Sequence, residues 1–297
     1  MNSHTRRFIP SAVGTQSDLK ADVNIAKVFG GYFSSLEAAQ CFIDFGIKTI
    51  EKELPADLRY ADYGGGQGFL TKIVAEWLRL QGHNVDAFVV DGNAKFLQIA
   101  KKAGLKTVER NLENCDFKEA DLITMRAVNH YNSLDKQIEI LKNTAKALKE
   151  NGFLISQISS GSEENCRLRS NIVNLKSLGR AGEDKSYHWT TIEEYSDFLK
   201  KVGFVSVEVL GYAPDCSWSP EEQWDRFHEK ETKEAEDENY GDKMEEINKR
   251  KNIFLKEAYV LIKNYVDMFG EEVLGVDFDE SGKANIKYKY PIIKSRK

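Results

Sequence analysis

The sequence has few cysteines, no long apolar run and no excess of positive charge, and each absence excludes a class of protein. Its four cysteines include no Cys-x-x-Cys pair, which argues against a zinc knot or a disulfide framework, so we predict no metal site. No stretch approaches the roughly 18 apolar residues of a membrane-spanning helix. The first residues carry two arginines without the apolar run of a secretory signal. We therefore expect a cytoplasmic protein with no membrane partner.

The net charge of −5 argues against a nucleic-acid partner, because such proteins usually carry a basic stripe. The negative charge is concentrated in residues 221–250, which hold twelve Asp and Glu against six Lys and Arg. A charge-rich stretch of this kind is typical of a solvated helix face. A small-molecule substrate is the partner that this composition favours.

Short apolar runs alternate with helical patterns through the middle of the chain. Residues 85–90 form a continuous apolar run, as expected of a strand buried on both faces. The alternation predicts βαβ units, and hence a doubly wound, mostly parallel sheet with helices on both faces. The predicted strands are 58–63, 85–90, 105–110, 120–125, 153–158 and 204–212.

The chain is predicted to have an α/β core with additions at both ends of it. N-terminal helices precede the core, and a helical insert precedes its last strand. The predicted parts are a tail and helical cap over 1–53, the core over 54–212 plus 284–297, and the insert over 213–283.

The predicted insert opens with Ser219-Pro220-Glu-Glu222, a capping box with proline at the first helical position. His228 falls in its acidic part and is expected to face solvent. An apolar stripe from Met244 to Phe269 is expected either to contact the core or to form a homodimer surface. The last strand is predicted within 284–293.

A glycine loop, Asp62-Tyr-Gly64-Gly-Gly66-Gln-Gly68, lies between the first predicted strand and a helix. Glycines there let the backbone turn sharply and approach a ligand closely. Asp91 ends the second strand, where an acid accepts hydrogen bonds from a ribose diol. A dinucleotide loop needs glycine where Phe69 stands, which weighs against a nicotinamide cofactor. A purely structural turn is the alternative.

The loop resembles motif I of the class I S-adenosylmethionine-dependent methyltransferases, and Asp91 matches the acid of motif II. Ala120-Asp-Leu-Ile-Thr-Met-Arg126 resembles the fourth-strand motif, and Leu148-Lys-Glu-Asn-Gly152 resembles the turn before the fifth strand. The resemblance covers 55–212 plus the terminal strand. It implies a seven-stranded Rossmann-like fold and S-adenosylmethionine as cofactor, with S-adenosylhomocysteine as product.

By this resemblance, the loop lies against the methionine part of the cofactor and Asp62 orients its amino group. Asp91 holds the ribose hydroxyls. Asn111 stands where the family often has an adenine-binding Asp. The implied cofactor-binding residues are Asp62, Gly64, Gly65, Gly66, Asp91, Gly92, Asn93, Phe96, Asn111, Leu112, Arg126 and Ala127.

Catalytic candidates follow the fourth strand, because the carboxyl ends of parallel strands face the ligand crevice. His130 is the predicted general base, with Tyr131 beside it; the alternative is that His130 only packs or caps a helix. Substrate contacts are expected from elements added to the core, and plain packing is the alternative. The predicted substrate residues are Tyr32, Phe33, His188, Trp218 and Trp224.

The sequence therefore predicts an enzyme that moves a methyl group from S-adenosylmethionine to O, N or C of a small molecule. Two alternatives stay open. One is a protein of this fold that binds the cofactor without methylating, or uses it for other chemistry. The other is a nicotinamide-dependent oxidoreductase, against which Phe69 and the missing Tyr-x-x-x-Lys pattern weigh.

Overall fold

The computed structural model describes residues 35–179, 186–214, 216–237 and 241–297. The strands are β1 Asp57–Tyr63, β2 Asn84–Asp91, β3 Lys106–Glu109, β4 Ala120–Arg126, β5 Leu148–Gln157, β6 Ser206–Tyr212, β7 Cys216–Trp218, β8 Val276–Phe278, β9 Ala284–Tyr288 and β10 Pro291–Arg296. The helices are α1 Leu36–Phe45, α2 Phe69–Leu80, α3 Ala94–Lys102, α4 Leu134–Ala147, α5 Glu163–Val173, α6 Ile192–Lys201, α7 Pro220–Asp237, α8 Gly241–Phe269 and α9 Glu271–Leu274. No helix in these ranges is both long and apolar enough to cross a membrane.

The central sheet has seven strands in the order β3-β2-β1-β4-β5-β10-β6. β1 pairs in parallel with both β2 and β4, so the chain moves outward to β3 and then crosses back. Only β10 runs against its neighbours in this sheet, between β5 and β6. The doubly wound, mostly parallel, seven-stranded prediction is confirmed. The crossover places a crevice at the carboxyl ends of β1 and β4, where such sheets bind ligands.

Helices cover both faces of the sheet. On one face, Phe42 of α1 and Leu78 of α2 pack in a buried cluster with strand residues such as Leu122. On the other face, Leu141 of α4 and Leu199 of α6 pack in a second buried cluster. The core is therefore divided by the sheet, and its carboxyl edge is left to the loops.

The described part of the N-terminal region holds one α-helix followed by short turns. In the described part, α1 ends at Phe45, and two short 3-10 turns, Ile47–Thr49 and Glu51–Glu53, lead into β1. The predicted substrate residues Tyr32 and Phe33 lie outside the described residues.

The prediction of one last strand within 284–293 is wrong, because this segment forms two strands in two different sheets. β9 pairs antiparallel with β7 and β8 in a separate three-stranded sheet. After Lys289 and Tyr290, β10 enters the central sheet. An alternating pattern identifies a strand but not its partner, and the pattern continues across the break between these two.

The capping box that begins α7 is confirmed. The Glu222 amide donates to Ser219 Oγ at 3.3 Å, and the Ser219 amide donates to the Glu222 carboxylate at 3.0 Å. α8 then places its apolar stripe inside the protein, where Ile247, Phe254 and Ala258 are buried in a third cluster with α5 and β9. The stripe contacts its own chain, and a homodimer stays a prediction.

The expectation that His228 faces solvent is wrong. Its ring is buried, stacks on Trp224 with 3.9 Å between centroids, and lies 2.8 Å through Nε2 from the Leu178 carbonyl. Glu231 lies 3.0 Å from its other ring nitrogen. The acidic composition of this helix concealed an inward face that carries aromatic rings.

Replacing Phe254 by alanine tests the packing of α8. Phe254 is fully buried, so Phe254→Ala should lower the free energy of unfolding by about 3–5 kcal/mol. The neighbouring Ile253 is 48% exposed, and Ile253→Ala is the matched control with a small expected effect. Urea unfolding measures both, and equal losses would contradict this packing.

Candidate active site

The glycine loop is pressed between neighbouring elements. Gly64 has φ +68°, its amide donates to the Val90 carbonyl at 2.8 Å, and a Cβ there would overlap Cγ2 of Val128. Gly68 has φ +85°, and a Cβ there would overlap Leu105. Only glycine combines these angles with this lack of space. The loop backbone therefore forms a tight cradle above β1.

Asp91 joins this cradle to the end of β2. One carboxylate oxygen accepts the Gly66 amide at 2.9 Å, and the other accepts the Asn93 amide at 2.8 Å. Asn93 itself caps α3, since its side-chain oxygen accepts the Lys95 amide at 3.0 Å. The glycine loop and the acid, 25 residues apart at this hydrogen bond, thus lie in direct contact.

Asp62 lies beneath the loop and ties three elements together. Its carboxylate accepts hydrogen bonds from Thr71 of α2 and from Thr124 of β4, each at 2.7 Å. Burial raises the pKa of the Asp62 carboxyl, while the two hydroxyls and the charge of Arg126 oppose that rise. The carboxylate supports the loop, and its predicted role in orienting the cofactor amine stays a prediction.

The other predicted cofactor residues surround the same crevice, with one exception. A Cβ on Gly92 would overlap the side-chain oxygen of Asn111, and Phe96 lies 3.9 Å from the Cβ position of Gly66. Leu112 is buried in the core cluster beside α4. Its side chain packs in the protein interior, while Phe96 and Asn111 stand at the loop and at the β2 turn.

The chain turns sharply after β4. Ala127 has φ +56°, a left-handed angle that alanine rarely adopts, and its amide donates to the Gln157 carbonyl at 2.9 Å. Strained residues of this kind cluster at functional sites. The turn starts a segment in which Val128 meets the glycine loop and Asn129–Tyr131 form a 3-10 turn.

Buried polar groups at this edge fit a ligand. The side-chain amides of Asn129 and Gln157, and Nδ1 of His130, are buried without a hydrogen-bond partner among the described residues. Leaving such a group unsatisfied costs about 1–3 kcal/mol. All three residues follow or end β4 and β5 at the crevice. Together with the glycine cradle, they fit a cofactor that carries both donors and acceptors.

A cavity lined mainly by aromatic side chains lies beside this segment. The cavity is small and partly open to solvent. Its walls come from the segments after β4 and β5, from the end of α5, from the segment before α6, from α7, and from the small sheet and the residues that follow it. The lining residues are His130, Tyr131, Ser159, Val173, Tyr187, Trp189, Trp218, Gln223, Arg226, Phe227, Tyr288 and Tyr290.

His130 is held neutral in this wall. Its ring is buried, stacks on Trp189 at 5.3 Å between centroids, and contacts Tyr131 at 4.1 Å. Burial, followed by the charges of Arg169 and Arg226, lowers the pKa of His130 from 6.5 to about 3. At neutral pH the uncharged imidazole can donate one hydrogen bond and accept another, but it is a weak base. Its predicted role as general base stays a prediction.

The predicted substrate residues are divided by the structure. Trp218 lines the cavity. Trp224 does not, because its ring is buried between His228 and Phe254, which does not support the predicted substrate contact. His188 also lies outside the lining and faces Glu194 at 3.2 Å.

Residues that sequence reasoning missed complete the walls. Gln223, Arg226 and Phe227 share one face of α7 at spacings of three and four residues, which is the signal that the acidic composition concealed. Tyr288 and Tyr290 come from the segment predicted to form one strand. Their rings meet at 5.1 Å in an edge-on contact.

Comparison with known proteins agrees with this geometry. Residues 36–209 match a family described as a methyltransferase domain, and the chain belongs to that family. The YcgJ protein of Bacillus subtilis is similar in structure, with a TM-score of 0.58 at 15% identity over 87% of this chain and 98% of the other. A candidate methyltransferase from Bacillus halodurans has a TM-score of 0.58 at 14% identity over 85% and 98%. No curated protein that was compared matches the chain.

The fold, the family match and the crevice define a class I S-adenosylmethionine-dependent methyltransferase. S-adenosylmethionine is therefore its cofactor. The glycine cradle, Asp91 and the unpartnered polar groups are the residues present that fit it.

Replacing Asp91 by alanine tests the cradle. Asp91→Ala should weaken binding of S-adenosylhomocysteine by about 1–3 kcal/mol, because the loop and the ribose lose an acceptor. Asp86→Ala is the control on the same strand, since Asp86 pairs with Lys106 at the surface. Calorimetric titration measures both, and unchanged affinity in Asp91→Ala would refute this assignment.

The low pKa of His130 makes folding stability depend on pH. Below pH 6.5 the His130 imidazole is protonated in the unfolded chain, whereas in the folded protein it stays neutral until about pH 3. The free energy of unfolding therefore decreases as the pH falls through this window. Between pH 7 and pH 5, the wild type should lose about 2 kcal/mol relative to His130→Gln, at about 1.4 kcal/mol per pH unit. Urea unfolding at both pH values measures this, and a constant difference would show that His130 titrates normally.

Proposed function

We propose that this enzyme methylates an oxygen, nitrogen or carbon atom of a small molecule bound in the aromatic cavity. The supporting observation is that one short segment, the residues after β4, contacts both the glycine loop and the aromatic cavity. Val128 contacts the glycine loop, and His130 and Tyr131, two and three residues later, line the cavity. An acceptor in the cavity is therefore next to the cofactor crevice.

S-adenosylmethionine supplies a methyl group already activated by a positively charged sulfur, so the protein contributes mainly position. The cradle and Asp91 hold the cofactor, and the aromatic walls exclude water and fix the acceptor. Alignment of this kind lowers a barrier by about 7–11 kcal/mol. Catalysis here depends on geometry more than on any single reactive side chain.

His130 and Tyr131 are proposed to orient the acceptor. A neutral imidazole whose pKa is about 3 is a poor proton acceptor, but it can hold a hydrogen bond to the acceptor. Tyr131 accepts a hydrogen bond from Arg226 at 2.8 Å, which directs its own hydroxyl proton elsewhere. His130→Gln keeps a hydrogen-bonding group, so turnover should fall less than tenfold, whereas loss of a general base typically costs 10²–10⁴-fold.

Methyl transfer itself is tested with methyl-labelled S-adenosylmethionine and a library of small metabolites. We expect label in a small-molecule product, and less of it with Asp91→Ala. Label found only in protein or nucleic acid would contradict a small-molecule acceptor. Binding of S-adenosylhomocysteine without transfer to any acceptor class would favour the alternative of a protein that binds the cofactor for other purposes.

A further inference from the structure

Arg226 presents a positive charge at the cavity. Its Nη2 donates to the Tyr131 hydroxyl at 2.8 Å, and its guanidinium carbon lies 5.7 Å from the centre of that ring. Within the described ranges, it forms no ion pair with a carboxylate. A guanidinium carries five N–H donors in a planar fork, and a phenol uses only one of them. Donors therefore remain for a ligand.

Arg169 adds a second positive charge behind the cavity wall. Its side chain is fully buried, and Nη1 donates to Oγ of Ser159, a lining residue, at 2.7 Å. Its guanidinium carbon lies 4.8 Å from the Tyr288 ring and 5.6 Å from the Trp189 ring. No carboxylate among the described residues pairs with it, and its Nε has no partner. A buried charge without a counter-ion is costly, so a nearby anion would stabilise it.

The cavity has no described negative charge to offset these two arginines. No Asp or Glu is among its lining residues, and His130 is neutral. Aromatic walls alone would also suit a cation, because ring faces attract ammonium groups. Two guanidinium groups close to the same space would repel a cation and attract an anion. The two positive charges therefore favour an anionic ligand over a cationic one, a distinction that the aromatic rings alone would not make.

We infer that the acceptor is a small aromatic carboxylic acid, with its ring between the aromatic walls and its carboxylate against the guanidinium of Arg226. This inference rests on the proposed function, because it names the acceptor class for that cavity. A carboxylate matches the fork of a guanidinium with two parallel hydrogen bonds. Tyr187 and Trp189, whose ring centroids lie 6.2 Å apart, are lining residues that an aromatic ring in the cavity would contact.

Three probes with the same ring and different charge test the inference. The full chain, saturated with S-adenosylhomocysteine, is titrated calorimetrically with benzoate, benzamide and benzyltrimethylammonium. Benzoate should bind at least tenfold more tightly than either of the others. Equal binding of benzoate and benzamide, or tighter binding of the cation, would overturn the inference.

Substitutions at Arg226 locate the anion. Arg226→Met should weaken benzoate binding at least tenfold, and Arg226→Lys, which keeps the charge without the fork, should have a smaller effect. Arg167→Met is the control, because Arg167 is exposed on α5 and pairs with Glu163. Unchanged benzoate affinity in Arg226→Met, or in Arg226→Lys if the methionine variant does not fold, would contradict the proposed pairing.

Binding of S-adenosylhomocysteine distinguishes a failure of the inferred acceptor class from a failure of the proposed methyl transfer. Every variant should retain wild-type affinity for it, and a loss in Arg226→Met would overturn the inference by assigning Arg226 to the cofactor. If the wild type bound S-adenosylhomocysteine but showed no preference for benzoate, the acceptor class would be wrong and the methyltransferase would stand. If the wild type transferred no methyl group to any small molecule, the proposed function itself would fail.

Discussion

The hydrogen bond from the Gly66 amide to the Asp91 carboxylate is the interaction on which the rest of the site depends. It joins the turn after β1 to the end of β2, and so forms one side of the crevice at the crossover of the sheet. The buried Asp62 supports the same loop from below through Thr71 and Thr124. These carboxylates fix a loop that requires glycine, because Gly64, Gly66 and Gly68 have positive φ and a Cβ on Gly64 or Gly68 would overlap a neighbour.

The aromatic cavity is built partly from elements outside the central sheet. The small sheet and α7 lie beside the segment after β4, and they contribute the rings of Trp218, Phe227 and Tyr288 to the cavity. Burial, together with the positive charges of Arg169 on α5 and Arg226 on α7, keeps His130 in the cavity wall neutral. The same residues thus argue for positioning rather than for proton transfer, and for an anionic acceptor rather than a cationic one.

The central sheet and the cofactor loop were predictable from the sequence because their signals are local. The glycine loop, Asp91 and the Ser219–Glu222 capping box each lie within a few residues of the feature they determine, and short apolar runs marked the parallel strands. The cavity was not predictable because its parts are distant in sequence. β7 and β9 pair across some seventy residues, and Arg226 lies in a stretch whose acidity indicated only a solvated surface. Strand pairing between segments so far apart in sequence, and the burial of single side chains in a charged helix, depend on tertiary packing.

The most direct test of this account is a crystal structure of the full chain with S-adenosylhomocysteine. We expect the adenosyl group between the loop at Gly64–Gly68 and the carboxylate of Asp91, with the sulfur on the side of the aromatic cavity. A ligand bound elsewhere, or a crevice that stays empty at saturating concentration, would contradict the central claim.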